Sequence, residues 1–297
     1  MSRAPQSLTP RIFDRALLRR RLDRAAKAYG QADFLKRRAA EDIVARLEVI
    51  MRDFPRAVDI GARNGAFRNA LASSDAQPRV QFLVETEIAE TLLAGRDGAR
   101  LLVDEEQLPF AFASLDLVVS SLALHWTNDV VGTLIQIRRA LKPDGLVIGA
   151  LFGGATLAEL RQSLMAAEVE LTGGAGPRVS PFADPNDAAS LLQRAGFALP
   201  VADVDRVTVR YAHPLKLMAD LRAMGETSVL AERHPRPLTR AVLARAFEIY
   251  AERFAEPDGR IPATFEILTL TGWTPSSVQQ QPLKPGSAKM RLADALK

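Results

Sequence analysis

A glycine turn and a series of acids carry the clearest chemistry in this chain. Asp59-Ile60-Gly61-Ala62-Arg63-Asn64-Gly65 ends an apolar run in an acid, then turns through two glycines into a helical pattern. Glycine permits positive φ values and the close ligand approach that a side chain blocks. The helix N-terminus behind it offers free N–H groups to a carboxylate or phosphate. The dinucleotide pattern G-x-G-x-x-G is absent, because Gly65 comes four residues after Gly61. Glu85 and Glu87 close the second apolar run, and Asp104-Glu105-Glu106 follow the third, ahead of Leu108-Pro109-Phe110. A carboxylate after the second strand suits the two hydroxyls of a ribose, and Glu87 is the better placed. Asp104 or Glu105 would accept from an adenine amino group while an apolar neighbour packs on the ring. Taken one at a time, each motif also fits an ordinary βα turn or a surface acid at a helix start. Together they predict a nucleoside-type ligand along one sheet edge.

The fourth apolar run ends in Ser120-Ser121-Leu122-Ala123-Leu124-His125-Trp126. Ser121 joins the residues expected to face the ligand. His125 is the histidine nearest the expected pocket, a candidate general base near neutral pH or, equally, a wall residue beside Trp126. His213 and His234 read as surface groups. The chain has no cysteine, which excludes disulfides, thiolate zinc sites and cysteine nucleophiles. It lacks H-E-x-x-H, an EF-hand loop and a G-x-S-x-G elbow, so neither a metal site nor a serine hydrolase is expected.

The elements that must position these residues alternate. Apolar runs at Ala57–Ile60, Val80–Val84, Arg100–Val103, Leu115–Ser120 and Leu146–Leu151 are separated by helical spacing at Ala66–Ser74, Ile88–Ala94 and Val130–Leu141. This order predicts a parallel sheet covered on both faces. Ahead of it, Asp14–Tyr29 and Phe34–Arg52 read as amphipathic helices. Behind it come helices at Leu157–Leu171 and Asp184–Arg194, a strand at Val201–Val209, helices at Leu215–Met224 and Leu238–Phe254, and a last strand at Ile261–Leu270. Residues 1–10 read as a flexible start and 274–297 as a tail.

Over 297 residues the net charge is +4, yet residues 1–56 alone carry +7 and the remainder −3. The basic excess, centred on Arg19, Arg20, Arg21 and Arg24, suits a solvated helix face, an acidic partner or a lipid headgroup. Nothing aromatic is interleaved with these arginines, which argues against nucleic acid. No run approaches the roughly 18 apolar residues of a membrane span. Lack of cysteine and of a secretory pattern fits a reducing compartment: bacterial cytoplasm, or the mitochondrial matrix if the source is eukaryotic.

The loop Asp59–Gly65 is similar to the acid-x-G-x-G-x-G loop of class I S-adenosylmethionine (SAM) methyltransferases, with Arg63 in place of the middle glycine. Beyond the loop, the chain resembles the methyltransferase-fold assembly factors of respiratory complex I, a family associated with arginine hydroxylation. The segments that carry this are Asp104–Phe110, Leu117–Trp126, Leu141–Gly145, Phe152–Arg161, Ser180–Phe182, Met224–Glu226 and Pro262–Phe265. The resemblance implies a Rossmann-like α/β fold: a mostly parallel seven-stranded sheet with an antiparallel last strand, a helical N-terminal lid at 11–52 and a cap at 213–255. It implies SAM as cofactor, facing Asp59, Gly61, Arg63, Gly65, Glu87, Asp104, Glu105 and Ser121. It also implies a protein substrate, a complex I subunit, with possible membrane-surface contact. Arg63 would crowd the loop, pair with the SAM carboxylate or point to solvent. Two other readings stand beside this one: a conventional O-methyltransferase for a small acid or acyl carrier, and a non-catalytic assembly scaffold.

Overall fold

The computed structural model describes residues 11–233 and 237–279. The expected flexible start, residues 280–297 of the expected tail and His234 lie outside the described residues. One sheet contains β1 (Phe54–Ile60), β2 (Val80–Glu87), β3 (Ala99–Leu102), β4 (Leu115–Ser121), β5 (Leu141–Phe152), β6 (Ala198–Tyr211) and β7 (Ile261–Trp273). Their order is β3-β2-β1-β4-β5-β7-β6. The first five pair in parallel, and β7 runs antiparallel to both β5 and β6. This is the sheet that the alternating pattern and the resemblance predict.

The helices are α1 (Arg15–Ala25), α2 (Phe34–Val49), α3 (Ala66–Ala72), α4 (Glu90–Leu93), α5 (Val130–Ala140), α6 (Ala158–Thr172), α7 (Pro185–Arg194), α8 (Pro214–Ala223) and α9 (Arg240–Phe254). Strand residues alternate between two cores, as a pleated strand requires. Leu117, Val119, Leu146 and Ile148 pack under α2, α3, α6, α8 and α9, with Ile43, Leu47, Phe67, Leu160, Leu217 and Ile249. Val58, Val118, Val147 and Leu268 pack on the other face with Leu134 and Ile137 of α5 and Leu192 of α7. Side-chain caps set several helix starts: Asp14 accepts from the Leu17 N–H, Asp129 from Gly132, Asp184 from Asn186 and Thr239 from Val242.

Two boundaries differ from expectation for local reasons. The helix expected at Ile88–Ala94 shrinks to Glu90–Leu93, because the Ile88 and Ala89 N–H groups donate to Glu87 Oε1 at 2.8 and 3.3 Å. Strand β5 starts at Leu141 rather than Leu146, with Asp144 at φ +62° and a register shift between Leu115 and Leu117 absorbing the turn.

A third, smaller cluster holds the N-terminal segment over the carboxyl edge of the sheet: Phe13, Leu18, Leu22 and Tyr29 pack with Ile88, Leu92, Trp126, Val229 and Leu230. Gly225 lies where α1 crosses the segment after α8, at φ +75°, and an added Cβ would come 2.6 Å from Leu22 Cδ2. Gly225→Ala should therefore cost about 1–3 kcal/mol through strained φ and overpacking. An unchanged urea midpoint would show that α1 yields there freely.

Candidate functional site

The carboxyl edge brings the expected residues together. β1 delivers Asp59, and the loop then passes Gly61 at φ +67°, Arg63 at +52° and Gly65 at +81°. Both glycines are required sterically: a Cβ at Gly61 would collide with that of Ala123, and one at Gly65 would lie 2.7 Å from Arg96 Cζ. β2 delivers Glu87, the turn after β3 delivers Asp104 and Glu105, and β4 delivers Ser121. Asp59, Arg63, Glu87 and Ser121 are all fully buried.

Arg63 answers the sequence alternatives. Its side chain has no solvent exposure, so the outward reading is wrong. Nη1 donates to Glu87 Oε1 at 2.6 Å and Oε2 at 2.7 Å, and the Arg63 N–H donates to Oε2 at 2.9 Å. The Arg63 carbonyl accepts from Arg96 Nη1 at 2.7 Å. Glu87, expected to be open to a ribose, is instead surrounded by internal donors. Burial would raise its pKa, but the charge and hydrogen bonds of Arg63 outweigh burial and hold it below its ordinary value.

The other acids are engaged in the same way. Arg15 of α1 donates to Asp104 Oδ1 at 2.7 Å and also to Glu105 Oε2. Glu105 Oε1 lies 3.8 Å from Arg63 Nη1. Lys36 of α2 is buried and donates to the carbonyls of Gly61, at 2.5 Å, and Ser121. Burial lowers the Lys36 pKa to about 8 and raises that of Asp59 to about 7, each against the pull of the other's charge. Glu85 binds Arg68 at 2.8 Å and also Arg96. Among the described residues, both oxygens of Asp59, Ser121 Oγ, Glu105 Oε1 and both Nε and Nη2 of Arg63 have no hydrogen-bond partner. The space between Tyr29, Lys36, Leu122, Phe152 and Glu226 is only about 10 Å³, at most one water. Open cavities of about 490 and 290 Å³ reach Asp104 beside Arg15. SAM does not fit the ribose end as it is arranged, because Glu87 is bonded by Arg63 and neither side chain is exposed.

His125 is a buried wall residue in position. Its ring packs against Phe152 at 4.8 Å and Trp126 at 5.2 Å, and Nε2 lies 3.1 Å from Glu226 Oε2. The same oxygen accepts from Trp126 Nε1 at 2.9 Å. Glu226, Trp126 and Phe182 then line a separate open cavity of about 470 Å³, together with the apolar Leu157, Leu160, Leu164 and Leu221 and with Arg21, Arg178, Arg222 and Arg233. Among the described residues no group of three or more His, Cys, Asp or Glu is placed to hold a metal ion.

Sequence reasoning passed over Lys36, Arg15, Arg96 and Glu226. Lys36 carried a signal: it shares the apolar stripe of Ala39, Ala40, Ile43 and Leu47, where a lysine must find an internal partner. Arg21, grouped with the solvated arginines, instead donates to Thr227 Oγ1 at 2.9 Å and to the Ser228 carbonyl.

Residues 58–149, which hold the loop and all four strand ends, match the methyltransferase domain family. The chain is 39% identical over 96% of its length to arginine-hydroxylase NDUFAF5 of Danio rerio, covering 90% of that protein. It is 39% identical over 99% of its length to the Homo sapiens protein of the same name, covering 85% of it. The chain belongs to the NDUFAF5 arginine-hydroxylase family. Within the wider methyltransferase group, malonyl-[acyl-carrier protein] O-methyltransferase of Laribacter hongkongensis is 33% identical over 92% of the chain and 94% of its own length. Among solved structures, the YcgJ protein of Bacillus subtilis superposes with a TM-score of 0.54 at 14% identity, over 80% of this chain and 99% of that one, which supports the fold alone. This NDUFAF5-family protein is therefore an enzyme of methyltransferase fold, a fold that suggests SAM.

Proposed function

We propose that the protein modifies an arginine side chain of a respiratory complex I subunit during assembly, by hydroxylation. The observation that carries this is the end-to-end match to arginine hydroxylases, which takes in the segments forming the 470 Å³ cavity. The cavity's chemistry supports it. Glu226 is the one acid among the described residues lining it, and its Oε1 makes no hydrogen bond there. A carboxylate of that kind takes a guanidinium in a charge-assisted pair. Leu160, Leu164 and Leu221 would pack on the arginine stem. These residues bind and orient the target; Trp126 Nε1 fixes the carboxylate.

The test is mass spectrometry of complex I subunits from a strain lacking the protein. One arginine should lose the mass of an oxygen atom and regain it on complementation. Loss of a methyl mass would favour methylation; identical peptides with failed assembly would favour the scaffold reading. Methyl transfer to a small acid or carrier is disfavoured, because its donor site is filled by the Arg63–Glu87 pair. No described helix is long and apolar enough to cross a membrane. The proposed setting is bacterial cytoplasm or, in a eukaryote, the mitochondrial matrix.

Arg19, Arg20 and Arg24 are exposed on α1 and make no hydrogen bond or ion pair among the described residues. They are proposed to steer an acidic surface of the protein substrate. Reversing all three to Glu should slow association about tenfold at low salt and flatten its salt dependence. An association rate equal to wild type would reduce the cluster to a solvated face.

A further inference from the structure

The sheet edge has the acids of a nucleoside site, but three of them, Glu87, Asp104 and Glu105, already have cationic partners. Glu87, where a ribose would be held, is bonded by the Arg63 guanidinium. Asp104 and Glu105, at the adenine end, are bonded by Arg15. The loop and β4 carbonyls facing the methionine end, those of Gly61 and Ser121, are bonded by Lys36. We propose that Arg63 is an internal substitute for the cofactor: its guanidinium fills the ribose subsite, and the native protein does not take up SAM.

Backbone geometry and burial carry this. The backbone at Arg63 is left-handed, at φ +52°, a conformation unfavourable for an L-residue and kept where contacts enforce it. The enforcing contacts are those to Glu87 and Arg96, so the turn and the side chain hold each other. Arg63 and Glu87 are each completely buried, and a buried ion survives only while paired; a ribose hydroxyl bound to Glu87 would strand the guanidinium. Arg63 and Glu87 have no solvent exposure, so the ribose position offers no open space, although open cavities border Asp104 beside Arg15. The fold of a methyl-transfer enzyme is thus kept while its donor subsite has become part of the core. The proposal is separate from the arginine reading, which is decided by peptide masses rather than by SAM affinity.

The experiment is a calorimetric titration of SAM into the full-length wild type, Arg63→Gly and Arg63→Gly/Glu87→Gln, with circular dichroism to confirm each fold. Glycine suits the left-handed turn, and the double variant avoids leaving Glu87 charged and alone. Removal of the guanidinium should tighten SAM binding about 30-fold or more, the factor expected when a closed state dominates the resting population. The melting midpoint of the wild type should not move in saturating SAM. Wild-type affinity equal to or tighter than that of a folded variant overturns the proposal, as does a SAM-dependent rise in the wild-type midpoint. Folded variants that fail to bind also overturn it, because the guanidinium would then not be what excludes the ligand.

Discussion

Arg63→Met should destabilise the protein by about 3–5 kcal/mol at neutral pH, the usual cost of removing one partner from a buried ion pair. Methionine nearly matches the arginine stem in length, so the loss is charge and hydrogen bonding rather than a large cavity. Glu87 would keep the N–H groups of residues 63, 88 and 89 but lose both contacts from Nη1. The pH dependence gives the sign. In the wild type the Glu87 pKa is held below its ordinary value, so its contribution is present above the unfolded pKa and is lost as pH falls through the folded one. In the variant the Arg63 charge is gone while Lys36 and the N–H donors remain, so burial weighs more, the pKa rises relative to wild type and protonation relieves the penalty. The stability gap between the two proteins should be widest near pH 7 and narrow toward about pH 4. Urea unfolding at both pH values measures it. A gap below about 1 kcal/mol at neutral pH, or one that widens on acidification, would mean that Glu87 is not the buried partner of Arg63.

Glu226→Gln should lower modification of the target arginine about 10–100-fold while changing stability by less than about 1 kcal/mol, because a charge-assisted bond becomes a neutral one. The amide oxygen still accepts from Trp126 Nε1, which lies 2.9 Å from Oε2, so the wall of His125, Trp126 and Phe182 is kept. The effect should appear in KM more than in kcat if Glu226 holds the guanidinium. A target peptide carrying citrulline, which lacks the charge, should bind the wild type and the variant equally. A variant with the wild-type rate and an intact fold would remove Glu226 from arginine recognition.

Much of the fold was legible from local spelling. Apolar runs separated by helix-length segments marked the strands, since a strand buried on both faces needs an unbroken apolar run. Asp14, Asp184 and Thr239 lie where helix starts need a side-chain acceptor. The last strand was placed by pattern, but its antiparallel direction came through family resemblance. Boundaries were less legible where a side chain competed with the backbone. Glu87 shortened α4 by taking two of its early N–H groups, and Asp144 let β5 start in the turn.

The candidate site divides along the same line. Residue type and spacing along single segments determined that Asp59, Glu87, Asp104, Glu105 and Ser121 come to one edge, because parallel strands end their apolar runs together. Only the tertiary structure decided what those acids face. Arg63 meets Glu87 across 24 positions, Arg15 meets Glu105 across 90, and Glu226 meets His125 across 101. A motif records which groups a segment offers, whereas an ion pair depends on the direction each side chain takes once helices and sheet are packed. In this chain α1, α2 and the glycine loop converge on the sheet edge with a cation each, and dehydration there leaves every cation one favourable course: to turn inward onto an acid or a carbonyl.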